Sequence, residues 1–423
     1  SGATTSIIVG GNANGITAST NSFIGGGGQN TIYARETIDN YNFIGGGLTN
    51  KITGNTFSFI GGGFGNWVIN RDAGGAIYQY NTVVGGLANN LSGTTGSFIG
   101  GGQSNYISGT TNSSIVGGKK NRIETPYGGN FTSGGVKQES DFSVIGGGSL
   151  NIIQKAAHSS VIAGGRRNLI QNSGDTSVIG GGSGNTISND TFATVIGGGI
   201  DNIVGSIMNS ATIGGGKQNT ITATTSNAST EATIGGGLQN LIWDSTTGTI
   251  AGGDSNTISA STTGTIGGGD LNIISGNSRY AAILGGQKNK LGEGSSWSIM
   301  GGGFENYLWY NSEYSALLAG FRNKLYDYSD YSLLGGGYWN RVSASSYSVL
   351  VGGEYNFISG DTPSRSRRNF IGSGLENYIV GTRSSSIVGG EQNYIYSGSN
   401  FSFIGGGKLN QIYQQRSEPG SLT

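Results

Sequence analysis

Residues 97–109 read SFIGGGQSNYISG, and most of the chain repeats this stretch with variations. Counted from Asn105, an aliphatic residue stands six positions earlier at Ile99, and a glycine stands three positions earlier at Gly102. A second aliphatic residue follows two positions later at Ile107, and this four-point pattern recurs 23 times. Self-similarity at a short, regular period is the sequence signature of a repeat architecture.

The spacing and polarity of the repeat predict β-structure. Successive asparagines of the pattern are mostly 16 or 17 residues apart, which is too short for a helical repeat or a propeller blade. Within each unit the residues alternate between two sides, which is the periodicity of strands. Two short strands joined by a glycine-rich corner form one coil, and coils stacked about 4.8 Å apart would make a rod of roughly 110 Å. We therefore predict an all-β fold, a parallel β-solenoid of about 23 two-strand coils.

One column of the predicted coil is an asparagine ladder. The amide can bond the corner of its own coil and the asparagines above and below it, which satisfies backbone groups that a tight corner leaves unpaired. The constant glycine is expected where φ is positive or a Cβ atom would clash. We predict that the ladder is structural rather than a ligand set, and its representative members are Asn50, Asn105, Asn185, Asn256, Asn306 and Asn410.

The outward side of the first strand is apolar, which is unusual for a protein surface. Phenylalanine there is followed two residues later by glycine, and where the first residue is small the second is often larger, as in Ser114 with Val116. Such an exchange of volume is typical of close packing. A solenoid cannot cover this face by itself, so we predict self-association along it as a parallel homotrimer. The predicted interface consists of Phe23, Phe43, Phe59, Phe98, Val116, Val144, Val178, Leu284, Leu318, Phe370 and Phe403.

The repeat resembles the head region of trimeric autotransporter adhesins, the YadA-like β-roll. The segments that carry the resemblance are SFIGGG at 58–63 and SVIGGG at 143–148 and 177–182. Gly-Gly-Gly-x-x-Asn repeats of this kind are also similar to those of phage tail-fibre-like and other bacterial surface fibres. The resemblance implies a left-handed roll, three chains packed through their inner strands, and an adhesive role outside the cell. The chain differs from adhesin heads in its longer unit, its consecutive glycines and its asparagine column.

The register of the repeat predicts a single array over residues 1–413 and a tail or linker over residues 414–423. Five insertions lengthen individual coils, and each follows a second strand, so all five are expected at the same corner of the coil. Insertions in repeat proteins often lie on the binding face. They are near residues 33–41, 69–80, 124–141, 222–231 and 359–368.

Aromatic and basic residues supply the candidate surface-binding positions. Fourteen of the 20 tyrosines lie at or after Tyr280, and an exposed aromatic row can stack on sugars or, equally, stiffen the sheet by cross-strand packing. The last insertion carries arginines that could meet an anionic surface. A cell-surface glycan or another surface ligand is therefore a candidate partner besides the chain itself. The candidate residues are Tyr307, Trp309, Trp339, Arg365, Arg367 and Arg368.

The composition argues against catalysis and against nucleic acid as a partner. The 23 basic and 23 acidic residues balance, there is no cysteine, and the single histidine is His158. No metal site or nucleophile–base pair can be assembled from the spacing, and the amide column lacks the carboxylates of a calcium site. We predict a protein that is not an enzyme and has no cofactor. No segment is long and apolar enough to insert into a membrane, and the resemblance places the protein outside the cell, on a cell or virion surface.

Three functional hypotheses follow from the sequence. The first is a structural or adhesive fibre segment built as a parallel homotrimer. The second is a filament that grows by end-to-end stacking of solenoids through the unpaired edges of their end coils. The third, an ice-binding solenoid, needs a regular threonine face, and the threonine columns are interrupted by Lys51, Trp67, Arg122 and Tyr307.

Overall fold

The chain folds as an all-β parallel β-solenoid of about 21 to 23 coils, which confirms the predicted fold class. A computed structural model describes residues 5–34, 40–70, 78–125, 140–155, 157–172, 176–188, 191–205, 208–224, 231–360 and 366–414, and no helix occurs among them. Contacts between residues divide the chain into two units, Ser1–Gln218 and Asn219–Thr423. In both units a coil adds a two-residue strand to a first sheet, turns at the glycine corner, and adds a strand of two or three residues to a second sheet.

The first unit contains parallel strands in both sheets, and a separate short pair is formed by Asn55–Thr56 and Tyr78–Gln79. Its first-sheet strands are Ile7–Ile8, Phe23–Ile24, Phe43–Ile44, Phe59–Ile60, Thr82–Val83, Phe98–Ile99, Ser114–Ile115, Val144–Ile145, Val161–Ile162, Val178–Ile179, Val195–Ile196 and Thr212–Ile213. Its second-sheet strands are Gly15–Thr17, Thr31–Tyr33, Lys51–Thr53, Trp67–Ile69, Asn90–Ser92, Tyr106–Ser108, Arg122–Glu124, Ile152–Gln154, Leu169–Gln171, Thr186–Ser188 and Ile203–Gly205.

The second unit repeats this arrangement. Its first-sheet strands are Thr233–Ile234, Thr249–Ile250, Thr265–Ile266, Ala282–Ile283, Ile299–Met300, Ala316–Leu317, Leu333–Leu334, Val349–Leu350, Phe370–Ile371, Ser386–Ile387 and Phe403–Ile404. Its second-sheet strands are Thr220–Thr222, Leu241–Trp243, Thr257–Ser259, Ile273–Ile274, Lys290–Leu291, Tyr307–Leu308, Lys324–Tyr326, Arg341–Ser343, Phe357–Ser359, Tyr378–Val380, Tyr394–Ile395 and Gln411–Ile412.

Within each unit, neighbouring coils pair in the register that the repeat predicts. Ile99 of the first sheet is aligned with Ile115, and Ile107 of the second sheet is aligned with Ile123. These aliphatic residues are fully buried, because they form the two columns that fill the inside of the coil. Burial of both columns removes apolar surface from water at every level, which is the main stabilising contribution available to such a thin fold.

Two adjacent glycine columns at the corner differ in what a side chain would meet. At Gly102, φ is +86°, and an added Cβ atom would overlap the carbonyl oxygen of Gly118 in the next coil. At Gly101, φ lies outside the left-handed region and nothing lies within 4 Å of the added atom. This explains why the column of Gly102 never varies in the sequence, whereas the column of Gly101 accepts Ala319 and Ser373.

Most of the predicted insertions and the predicted tail lie outside the described residues, which exclude 35–39, 71–77, 126–139, 225–230, 361–365 and 415–423. The last described strands before the five internal segments all belong to the second sheet. These strands are Thr31–Tyr33, Trp67–Ile69, Arg122–Glu124, Thr220–Thr222 and Phe357–Ser359. The single array over residues 1–413 stays a prediction.

Candidate functional surfaces

The asparagine column forms a hydrogen-bond ladder in each of the two units, of which Asn105 is an example. Its Nδ2 donates to the carbonyl oxygen of Gly101 in its own coil at 2.8 Å and to that of Gly118 in the next coil at 3.0 Å. Its Oδ1 accepts the backbone N–H of Asn121 at 3.1 Å, and its own backbone N–H donates to Oδ1 of Asn89 at 3.0 Å. The amide therefore binds the backbone of the corner, and this geometry leaves no group of Asn105 directed at a ligand.

The other predicted ladder members show the same pattern, with one difference at the last. The side chains of Asn50, Asn185, Asn256 and Asn306 are buried and bonded in this way. Asn410 is exposed rather than buried, because it lies in the last coil that the structure describes. Its Nδ2 still donates to the carbonyl oxygen of Gly406 at 3.0 Å and to Oδ1 of Asn393 at 2.9 Å.

A second buried ladder, which the repeat pattern alone did not predict, runs through serines. Oγ of Ser298 accepts the backbone N–H of Ser315 at 3.0 Å, and Oγ of Ser315 accepts that of Ser332 at 3.1 Å. The Ser315 hydroxyl also donates to the carbonyl oxygen of Ser329 at 2.8 Å. The signal in the sequence is the small residue that stands eight positions before most of the ladder asparagines.

The outward face of the first sheet is an apolar stripe that the single chain covers only in part. We call the predicted interface residues the first-sheet stripe. In the first unit, the Phe43 ring stacks on those of Phe23 and Phe59 at 5.0 and 5.1 Å. The half-buried members are Phe23, Phe43, Phe98, Val144, Val178 and Phe370. The exposed members are Phe59, Val116, Leu284, Leu318 and Phe403, with exposed fractions between 38% and 66%.

The structure corrects one argument about this stripe. The exchange of volume between phenylalanine and glycine predicts packing against another surface. In the structure, a Cβ atom added at Gly100 would lie 3.1 Å from Cε1 of Phe98 and would also overlap the backbone of Val116. The ring therefore covers the glycine of its own coil, and the exchange of volume has a cause within the chain.

Exposed aromatic residues form a second feature at the corner before the first sheet. Five of them, which we call the aromatic corner column, occupy successive coils and have φ between +50° and +56°. Their rings are stacked with centroids 4.9 to 5.7 Å apart. Because each inner ring is covered on both faces by its neighbours, the column offers edges rather than faces to a ligand. Its members are Tyr280, Trp297, Tyr314, Tyr331 and Tyr347.

A groove on the second sheet of the second unit combines basic and aromatic side chains. It has a volume of about 360 Å³ and is open to solvent. We call it the basic–aromatic groove. It contains Tyr307 and Trp309, two of the predicted surface-binding residues, together with three cations that the sequence analysis did not select. Its lining residues are Lys290, Tyr307, Trp309, Tyr310, Lys324, Tyr326 and Arg341.

Arg341 is the best-fixed cation of this groove. Its guanidinium carbon lies 4.5 Å from the ring centroid of Tyr326 and 4.9 Å from that of Phe357. Burial between these rings lowers the pKa of the Arg341 guanidinium from its ordinary value. The group nevertheless remains a cation at neutral pH, because an arginine side chain is not deprotonated in proteins.

The remaining predicted surface-binding residues lie apart from this groove. Trp339 lines a neighbouring depression of about 290 Å³, which also contains Arg341 and Tyr355. Arg367 is half-buried and Arg368 is exposed, both at the corner before a first-sheet strand. Arg365 lies outside the described residues. The structure thus brings Tyr307 and Trp309 together and does not join Arg367 or Arg368 to them.

His158 packs edge-on against Phe142 with ring centroids 5.4 Å apart. No cluster of three or more histidine, aspartate or glutamate side chains suited to a metal ion occurs in the part of the chain that is described. A search of the same residues for a helix that could cross a membrane finds none.

The fold alone defines the class of this molecule. No protein-family model matches the chain. No curated protein matches it significantly. The chain is thus a repetitive parallel β-solenoid, and its likeness to adhesin heads remains a resemblance of motif.

Proposed function

We propose that this chain is a non-enzymatic structural and adhesive segment of an extracellular fibre, and that it self-associates along the first-sheet stripe. The observation that carries the proposal is the exposure of large apolar side chains on this stripe in both units. Val116 and Leu284 are 55% and 57% exposed in the single chain. Soluble proteins seldom leave long contiguous apolar surfaces in water, and such surfaces usually mark interfaces.

A parallel homotrimer suits this stripe because symmetry places identical residues at the same level. In a parallel arrangement each coil meets the same coil of its partners, so bulky levels such as Phe43 and slimmer levels such as Ser114 need not be matched to different partners. The first-sheet strand of every coil carries the stripe on the side opposite to the buried Ile99 column. The interior of the coil is therefore unaffected by association.

Location and chemistry complete the proposal. The extracellular setting, on a cell or virion surface, rests on the resemblance to surface fibres, and the absence of cysteine is compatible with it because the ladders replace disulfides as internal links. The balanced charge gives no general attraction for nucleic acid. A filament made by end-to-end stacking is the alternative, and it requires backbone pairing between the end coils of different chains.

The test is the mass of the protein in dilute solution, measured by light scattering on the wild type and two matched variants. The stripe variant carries Val178→Lys together with Val161→Lys, because Val161 is aligned with the stripe residues Val144 and Val178 on the first sheet. The control carries Leu169→Lys and Thr186→Lys, which place the same charges on the second sheet of the same two coils. We expect a threefold mass for the wild type and the control, and a monomer with an unchanged circular dichroism spectrum for the stripe variant.

The other outcomes contradict the proposal in distinguishable ways. A wild type that is a monodisperse monomer would show that the stripe is not an interface. Filaments that lengthen with concentration, and that form equally in the stripe variant, would favour end-to-end stacking. Electron microscopy of the same samples separates particles of finite length from growing filaments.

A further inference from the structure

The basic–aromatic groove contains an arrangement of charge that the fold does not require. Lys324 and Arg341 occupy directly aligned positions on adjacent second-sheet strands. Like charges in this relation destabilise a sheet, because neighbouring strands are only about 4.8 Å apart. Neither residue forms an ion pair among the described residues. The same is true of Lys290, which lies two coils from Lys324 in the same column.

A second column in the same coils shows how the chain normally balances such charges. Lys288 and Arg322 stand two positions before Lys290 and Lys324, and between them lies Glu305. Oε2 of Glu305 accepts a hydrogen bond from Nε of Arg322, and its Oε1 lies 3.9 Å from Nζ of Lys288. The corner column therefore gives both of its cations a carboxylate partner within the chain.

In the groove an aromatic residue takes the place of that carboxylate. Tyr307 lies between Lys290 and Lys324, whose ammonium nitrogens are 5.8 and 5.6 Å from its ring centroid. Cation–π contacts hold the two ammonium groups in place without neutralising them. None of the eight residues at these two columns of the second-sheet strands is acidic, and Asp327, which follows one of the strands, accepts a hydrogen bond from the Ser343 hydroxyl at 3.1 Å. The eight residues are Lys290, Tyr307, Lys324 and Arg341 in one column and Gly292, Trp309, Tyr326 and Ser343 in the next.

We propose that the basic–aromatic groove binds a segment of an acidic polysaccharide, with one anionic group placed between Lys324 and Arg341. A carboxylate or sulfate there would replace the missing internal counterion and accept charge-assisted hydrogen bonds from both side chains. The hydroxyl groups of Tyr307, Tyr310 and Tyr326 line the same groove and can bond sugar hydroxyls. The inference gives the proposed adhesive role a ligand class, and it lies on a different sheet from the first-sheet stripe.

The same geometry disfavours nucleic acid as the occupant. Binding of a nucleic acid strand depends on many phosphate contacts, whereas this groove offers three cations on a chain with no net charge. Stacking of bases needs free aromatic faces. Lys290 and Lys324 already contact the Tyr307 ring, and Arg341 contacts the rings of Tyr326 and Phe357.

The experiment measures the affinity of the full chain for oligogalacturonate, a carboxylated probe, by titration calorimetry. Dextran sulfate, neutral dextran and a single-stranded DNA of equal charge are the comparison probes. We expect binding of oligogalacturonate or dextran sulfate that weakens with added salt, and no binding of neutral dextran. The variant with Lys324→Gln and Arg341→Gln should lose about tenfold or more in affinity.

The control variant carries Lys288→Gln and Arg322→Gln, which removes the same number of positive charges from the column that Glu305 pairs. Its affinity should change by less than about threefold, because a solvent-exposed ion pair contributes little. Equal losses in the two variants would show that only net charge matters and would overturn the site. Failure of both acidic probes to bind, equal binding of neutral dextran, or equal binding of DNA with the same dependence on Lys324 and Arg341 would overturn the ligand class.

Light scattering on the same samples keeps this inference separate from the proposed assembly. A wild type that is monomeric but binds the acidic probe would contradict self-association and leave the groove assignment standing. A wild type that is trimeric and binds neither acidic probe would support self-association and contradict the groove assignment. Substitution of Lys324 and Arg341 should not alter the mass, because both residues lie on the second sheet.

Discussion

The columns of this solenoid that never change lie beside columns that accept other residues. Gly102 and Asn105 belong to constant columns, whereas their chain neighbours Gly101 and Tyr106 belong to columns that accept other residues. The constant positions face the backbone of the next coil, which leaves no room for a Cβ atom at Gly102 and requires an amide at Asn105. The variable positions face solvent. Fold is therefore specified at one set of positions and surface chemistry at the other, even where the two are one residue apart.

The largest expected difference in stability is between alanine substitutions at Gly102 and at Gly101. Gly102→Ala forces a non-glycine residue to φ of +86° and pushes its Cβ atom into the carbonyl oxygen of Gly118. Backbone strain alone costs about 1–3 kcal/mol, and the overlap adds a further cost of about the same size. Gly101→Ala meets nothing within 4 Å and should be neutral or slightly stabilising.

The measurement is the midpoint of denaturation in urea, followed by circular dichroism, together with hydrogen exchange in the coil that contains the substitution. Because each coil contacts only its neighbours, loss of protection should be concentrated near residues 98–118 in Gly102→Ala. A similar change in both variants would mean that contact with the next coil does not explain the constant column.

A smaller loss of stability is expected when a residue of the asparagine ladder is replaced. The Asn185 Nδ2 donates to the carbonyl oxygens of Gly181 and Gly199 at 2.9 and 3.0 Å, and its Oδ1 accepts the backbone N–H of Asn202 at 3.1 Å. Asn185→Ala leaves these groups without their partners, at about 1–3 kcal/mol for a group that stays buried and unpaired. Water entry at the corner would reduce the total, so we expect a net loss of about 2 kcal/mol.

Thr186→Ala is the matched control, because Thr186 is the next residue and points outward from the same strand. Its removal should change the free energy of unfolding by less than about 0.5 kcal/mol. Chemical denaturation of the two variants at one pH compares them directly. Equal losses would show that the amide of Asn185 contributes no more than an ordinary strand residue.

The sequence was sufficient to predict the structure of the coil, but it was not sufficient to predict the chemistry of its surface. The positions of Ile99, Gly102 and Asn105 predicted strands, corner and ladder, because each residue type has a requirement that recurs at every level. The meaning of Phe98 followed by Gly100 was misread, because the ring contacts a glycine of its own coil and this depends on side-chain direction. The charge arrangement at Lys324 and Arg341 was missed, because the two residues are 17 positions apart and become neighbours only through the register.

The aromatic corner column was also beyond prediction from pattern alone. Trp297 and Tyr314 have φ of +53° and +52°, a region that large side chains seldom adopt. Stacking with the rings of neighbouring coils, at 5.0 Å for this pair, offers a compensating contact. A local propensity rule has no access to that contact, because it forms between residues of different coils.

The smallest predicted effect comes from tyrosines in a variable column and appears only at alkaline pH. The rings of Tyr378 and Tyr394 stack with centroids 4.7 Å apart. Burial, and then the neighbouring Tyr394, raises the pKa of the Tyr378 hydroxyl, and burial, followed by Tyr396 and Glu376, raises that of Tyr394. Because the folded chain holds these protons more tightly than the unfolded chain, their contribution to stability is complete below about pH 10 and is lost as the pH rises through the raised values.

Substitution Tyr394→Phe isolates this effect, because it keeps the stacked ring and removes one ionisable hydroxyl. At neutral pH the variant and the wild type should unfold at the same urea concentration to within about 0.5 kcal/mol, since neither hydroxyl is charged. Above about pH 10 the wild type should lose stability more steeply than the variant, and tyrosinate absorbance should report ionisation of Tyr378 at lower pH in the variant. Parallel stability curves would show that the stacked pair does not couple ionisation to folding. A difference in unfolding free energy that appears already at neutral pH would instead assign the Tyr394 hydroxyl a structural role. A residue of the variable column would then stabilise the fold, as the residues of the asparagine ladder do.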